Sequence, residues 1–257
     1  MREVTITQKD KVACVTINRE SAYNALNRAV MEALEKIFVD LEKDPDIVVV
    51  VVTGAGQKAF VSGADITEIK DAGGDRTNLI RRGQQVFWKI KNSSKVVIAA
   101  VNGYALGGGF ELALACDIRI AAENATFGFP EVKLGLMAGY GGTQFLPRLI
   151  GAGRAKFLIF TGEMITASEA YALGVVEKIC PRDRLMEEVD RWAQKIASNG
   201  PLALKGCKKA IDGGEGLPLE EAMAYELAEY AKVARTRDAE EGMSSFLEKR
   251  SPTFKGI

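Results

Sequence analysis

Histidine is absent from all 257 residues, and no other feature of the composition removes as much chemistry. No Ser-His-Asp or Cys-His relay can be assembled, and no metal can be held by imidazole, so no metal site is expected. Acid–base work must fall to Asp, Glu, Lys, Tyr or Cys. An excess of charge is missing too. Lys and Arg balance Asp and Glu at 34 each, so no global field recruits nucleic acid or an anionic membrane. No segment reaches the roughly 18 uninterrupted apolar residues of a membrane span. Cysteine is sparse: Cys14, Cys116, Cys180 and Cys207 are scattered with no C-x-x-C pair, the usage of reduced, mostly buried thiols. Met1 to Val4 runs straight into a strand pattern without a signal-peptide apolar core, so a cytoplasmic protein is expected. No internal repeat at a fixed period and no low-complexity stretch stands out. Gly139-Tyr140-Gly141-Gly142 and Gly151-Ala152-Gly153 are fragments of a dinucleotide fingerprint, but neither gives G-x-G-x-x-G after a strand, so nucleotide binding is not expected.

What is present reads as an alternation. Val4–Gln8 and Lys11–Asn18 form a hairpin pattern around Lys9-Asp10. Asn27 is placed to cap a helix with apolar positions Val30, Leu34, Ile37, Phe38 and Leu41. Ile47–Thr53 and Val96–Val101 are unbroken apolar runs suited to strands buried on both faces. A weaker helix spans about Asp75 to Lys91, and strand patterns recur at Asp117–Ala122 and Val175–Ile179. Thr166-Ala167-Ser168-Glu169 has the form of a capping box. Helices dominate from about Arg182, so the class is α/β with a helical C-terminal part. The glycine-rich Asp212–Gly216 is the best candidate for a hinge.

The chemistry concentrates at two small-residue corners, Ser62-Gly63-Ala64-Asp65 and Gly107-Gly108-Gly109. Bare backbone lets a ligand approach closely, and the first turn of a helix leaves N–H groups free. Two such amides from neighbouring corners make an oxyanion hole, where loss of one donor costs about 10²–10³ in rate. Tight turns made only for packing explain the glycines equally well. Glu111 follows the second corner, and Glu131 follows Phe129-Pro130. Each fits an ordinary helix-start charge. If both face one cavity, like charges push one pKa up, so that one acid donates while its neighbour accepts. That arrangement moves water and a proton across a double bond without histidine. Lys205–Lys209 and Lys249-Arg250 are basic clusters that fit solvated helix faces, and Trp88 and Trp192 fit packing positions.

Taken in order, these motifs resemble the crotonase (enoyl-CoA hydratase/isomerase) superfamily. The match runs through Asn24–Asn27, Phe60–Ile66, Val101–Asp117, Phe127–Glu131, Gly139–Gln144, Leu146–Arg148 and Glu241–Arg250, essentially the whole chain. The resemblance implies a spiral of ββα turns over residues 1–200 and a helical region over 201–257 used for trimerisation, with trimers commonly pairing into hexamers. It implies an acyl-coenzyme A thioester as substrate, with no separate cofactor and no nucleic-acid or membrane partner. By position, Ala64 and Gly108 match the oxyanion-hole donors and Glu111 and Glu131 the catalytic acids. Ala64, Asp65, Ile66 and Thr67 match the CoA-contacting segment, and Gly139, beside Tyr140, matches the loop near the water. Because both glutamates are kept, the implied reaction is syn hydration of a trans-2-enoyl-CoA to the 3-hydroxyacyl-CoA. An isomerase, a cyclic or dienoyl-CoA hydratase, and a non-catalytic RNA-binding relative are the alternatives. Phe110, Phe129, Ala138 and Tyr140 depart from the residues frequent at those positions. Phe129 and Tyr140 flank the Glu131 loop, which suggests a short acyl pocket.

Overall fold

The computed structural model describes residues 3–257. Strands β1 (Val4–Lys9) and β2 (Val12–Ile17) pair antiparallel, and Asp10 turns the hairpin with φ 53°. Asn27 caps α1 (Arg28–Lys43), its Oδ1 accepting from Val30 N at 2.8 Å. The apolar runs then divide in a way that the sequence pattern hides. Strand β3 (Val49–Gly54) joins one sheet and the short β4 (Ala59–Val61) another. After α2 (Ile66–Asp71) and α3 (Arg76–Lys91), β5 (Val96–Val101) and β6 (Tyr104–Leu106) divide in the same way. So do β7 (Ile118–Ala122) and β8 (Thr126–Gly128), which follow α4 (Gly108–Ala115). Each turn of this ββα spiral therefore lays one strand on a six-stranded sheet and one on a four-stranded sheet; with β9 (Met164–Thr166) and β10 (Lys178–Cys180) the orders are β1-β2-β3-β5-β7-β10 and β4-β6-β8-β9. The turns begin at 49, 96 and 118. That unequal spacing is why no fixed period is legible in the sequence.

The central strands β3 and β5 of the large sheet are buried on both faces, as their β-branched runs require, while edge strand β1 is mostly exposed. Val50 and Val52 enter the core shared with α1, α3 and α4, while Val49 and Val51 pack on the opposite side against α8 (Leu185–Ala197). Two helices, α5 (Gly142–Ile150) and α6 (Ala152–Thr161), lead to β9 (Met164–Thr166) and α7 (Ala167–Ala172), which opens with the expected reciprocal Thr166–Glu169 cap. The strand expected at Val175–Ile179 begins later, as β10 (Lys178–Cys180). Val175 and Val176 instead donate to Ala170 O and close the turn after α7.

Helices α9 (Pro201–Gly214), α10 (Leu219–Val233) and α11 (Arg237–Leu247) form the C-terminal region. The Asp212–Gly216 stretch is the end of α9 and the tight turn into α10, closed by Leu217 N donating to Gly214 O. Lys208 ties this region to the sheet through Asp117 at 2.8 Å, and Lys91 reaches Asp212 at 3.0 Å. Among the described residues no helix is long and apolar enough to cross a membrane.

Candidate active site

Both corners lie in the small sheet, side by side, because β4 and β6 are parallel neighbours. The run Val96–Val101 does not itself end in the glycines. It stops at Asn102, whose side chain donates to Gly54 O and Gly56 O, and the chain crosses to β6 before reaching Gly107. Gly107 has φ 49° and ψ −122°, a backbone open only to glycine at low cost. Its amide donates to Gly128 O. Gly108 then begins α4, every residue of which is buried.

The loop before α1 sets the direction of the first corner. Leu26 N donates to Gly63 O and Asp65 N donates to Leu26 O, so Leu26 and Ala64 form a parallel bridge. In that pattern the N–H of Ala64 points away from Leu26, toward α4. A Cβ built on Gly108 would stand 3.3 Å from Ala64 N. Neither the Ala64 nor the Gly108 amide donates to any acceptor among the described residues. Two free, convergent N–H groups, one at a helix N-terminus, are what a developing oxyanion requires.

Gly109 sets how close the corners come. A Cβ there would land on the carbonyl of Val61, the last residue of β4. Gly109→Ala is expected to cost about 1–3 kcal/mol and to lower turnover by separating the two amides. Thermal unfolding and steady-state rates on one preparation check both, and an unchanged melting temperature would contradict this packing.

Glu111 lies on the first turn of α4 and is 1% exposed. One carboxylate oxygen accepts from Tyr140 N and from Gly142 N, each at 2.7 Å. Burial pushes its carboxyl up to about 7, the Gly142 and Tyr140 amides oppose that, and the Glu131 charge adds to it. Glu131 opens a 3₁₀ turn (Pro130–Leu134) after β8, and burial raises its carboxyl too. Its Oε2 is buried with no hydrogen-bond partner among the described residues, and a Cβ on Gly107 would collide with its carboxylate. The two acids thus differ. Glu111 is held as an acceptor by two amides, while Glu131 sets an unpartnered oxygen against bare backbone beside the oxyanion corner.

The remaining expected residues divide. Gly139 and Tyr140 lie on the loop that holds Glu111, and the Tyr140 ring lies 3.1 Å from a Cβ built on Gly108. Ile66 and Thr67 are exposed at the start of α2, where a ligand could run past them. The Asp65 side chain is engaged locally: it caps Thr67 N at 3.1 Å and pairs with Arg19 at 3.1 Å. Phe129 does not line the cleft. It stacks on Phe110 at 4.8 Å, behind Gly142, so of the two aromatics only Tyr140 reaches the ligand side. Helix α3 also borders the site, although its weak apolar pattern carries no chemical motif. Gly83 accommodates the Tyr140 ring, and Gln84 Nε2 donates to Gly139 O at 2.7 Å. A glycine inside an otherwise helical pattern was the one available signal.

A family model described as enoyl-CoA hydratase/isomerase matches residues 7–257. The short-chain-enoyl-CoA hydratase of Clostridium acetobutylicum is 44% identical over 253 residues, 97% of this chain and 96% of that protein. The crotonyl-CoA hydratase of Syntrophomonas wolfei is 42% identical over 252 residues, 98% and 97% of the two chains. Among solved structures, an enoyl-CoA hydratase from Bacillus anthracis superposes with a TM-score of 0.97 at 41% identity, covering 99% of this chain and 100% of that one.

Proposed function

This chain belongs to the enoyl-CoA hydratase/isomerase family, and from that premise we propose that it adds water across the 2,3 double bond of a short trans-2-enoyl-CoA. The observation that carries the reading is the pairing of two carboxyls, Glu111 buried and Glu131 half-buried and neither beside a cation, with two free amides at adjacent corners. The Ala64 and Gly108 amides donate to the thioester carbonyl oxygen and stabilise the enolate that forms as C3 is attacked. Glu111, already oriented by its two amides, takes a proton from water as the hydroxyl oxygen bonds to C3. Glu131 delivers its proton to C2 on the same face, which makes the addition syn. The carboxyls return to their starting states by exchanging protons with solvent. Every acid, base and electrophilic donor in this scheme is a group of the chain, and coenzyme A enters with the substrate. Ala64, Asp65, Ile66 and Thr67 border the path along which the CoA moiety would leave the site.

The names of both relatives support a short acyl group such as crotonyl. We place the enzyme in the cytoplasm, in keeping with four free cysteines. We assign residues 201–257 to assembly into a homotrimer or a hexamer of paired trimers. Leu219, Leu227, Phe246 and Leu247 support this, since helices α10 and α11 expose these large apolar side chains.

Incubation with crotonyl-CoA is expected to bleach the conjugated thioester absorbance and give a product heavier by one water. Movement of the double bond without uptake of water would make the enzyme an isomerase instead. Salt-sensitive RNA binding with no turnover of any acyl-CoA would overturn the enzymatic reading altogether.

A further inference from the structure

Tyr140 belongs to two structures at once. Its main-chain N–H holds Glu111 at 2.7 Å. Its side chain is wedged between two glycines. One edge of the ring fills the space a Cβ would need on Gly83 of α3, and the other lies 3.1 Å from a Cβ built on Gly108, the oxyanion corner. Phe87, one turn further along α3, meets the ring edge-on with centroids 5.3 Å apart. The ring is 5% exposed, and its hydroxyl joins no hydrogen bond among the described residues, so the ring is held there by packing. Beside it runs a narrow cleft of about 50 Å³, lined by apolar groups such as Ala64, Leu79 and Val86 and also by charged ones, among them Glu32, Glu68 and Arg82. A thioester held on Ala64 and Gly108 would direct its acyl tail toward this ring.

We propose that Tyr140 couples acyl length to catalysis: a tail too long for the cleft pushes the ring, and the ring carries the amide that aims Glu111. The proposal deepens the hydratase reading and rests on it. Side chain and amide belong to one residue, so displacement of the ring is transmitted to the carboxylate over a few bonds. Gln84, bonded to Gly139 O, is a positioning residue that anchors the same loop to α3 from outside. Misplacement of a catalytic group by about 1 Å can cost about 10²-fold in rate. Long substrates are therefore discriminated in kcat and not in KM alone. A passive wall would exclude them in KM only.

The test is a kcat and KM series on trans-2-enoyl-CoA of four, six, eight and ten carbons, with wild type, Tyr140→Ala, Tyr140→Phe and Gln84→Ala. Wild type is expected to lose kcat by about 10-fold or more between the shortest and longest chains. Tyr140→Ala should flatten that profile while lowering kcat on the four-carbon substrate. Tyr140→Phe, which keeps the ring, should restore the wild-type profile. Gln84→Ala should lower kcat on all lengths and shift the acidic limb of the pH–rate curve, a readout that a merely structural role would not move. If wild type discriminates in KM alone, or if Tyr140→Ala leaves the kcat profile steep, the coupling is wrong. The hydratase reading would still stand, since crotonyl-CoA is turned over. No hydration of any substrate by wild type would sink both. Should Tyr140→Ala not fold, Tyr140→Leu gives the same comparison.

Discussion

Glu131→Gln is expected to lower kcat for crotonyl-CoA by about 10²–10⁴-fold, the range for removing a positioned acid or base, with little change in KM. The side chain is half-buried, its Oε2 is buried without a partner among the described residues, and bare Gly107 brings it against the oxyanion corner. Glutamine preserves shape and neutrality but cannot release a proton. Substrate contacts through Ala64 and Gly108 are untouched, so the loss falls on the chemical step. The same variant should lose exchange of the C2 proton with deuterated solvent, whichever direction the reaction is run. Near-wild-type turnover, or C2 exchange that survives the substitution, would refute the assignment of Glu131.

Glu111→Gln should show a similar loss of turnover and, unlike most active-site lesions, a gain in stability. The amide oxygen of glutamine can keep both bonds from Tyr140 and Gly142, so the fold is preserved while the base is lost. The stability effect follows from burial. The folded state lifts this carboxyl from an ordinary 4.5 to about 7. Between those values the folded chain holds a proton that the unfolded chain has released. Stability from this group is thus fully present below pH 4.5 and is lost as pH rises through about 7. The whole shift corresponds to about 3 kcal/mol, and Glu111→Gln escapes that loss. Its melting temperature should pull ahead of wild type between pH 5 and pH 8. Parallel curves over that window would contradict the burial argument. For wild type, the same group predicts that kcat/KM rises with pH through about 7, as Glu111 becomes the carboxylate that accepts the proton of water.

Glu111 holds an unpaired charge in the core, with no cation to offset the desolvation. That cost is the expected mark of a functional site, where a fold gives up stability for reactivity.

The sequence by itself determined the chemistry available and the candidate residues for it. Zero histidine restricts acid–base work to a few side chains, and that rule needs no coordinates. The capping of α1 by Asn27 and of α7 by Thr166 and Glu169, and the buried strands at Val49 and Val96, were legible because each depends on residues close in the chain. So was the pairing of glycine-rich corners with glutamates. Only the tertiary structure decided the rest. It divided each strand run between two sheets and placed Ala64 beside Gly108. The Leu26 bridge turned the Ala64 amide toward that corner, and Phe129 went into the core while Tyr140 faced the ligand. Helix α3 entered the site through Gly83 and Gln84. These outcomes depend on contacts between residues tens of positions apart, such as Gln84 with Gly139 and Glu111 with Gly142. Local propensity carries no information about which distant backbone will meet a given side chain. The glycines show the division most directly: their bareness is written in the sequence, but what fills the space beside each one is set by the fold.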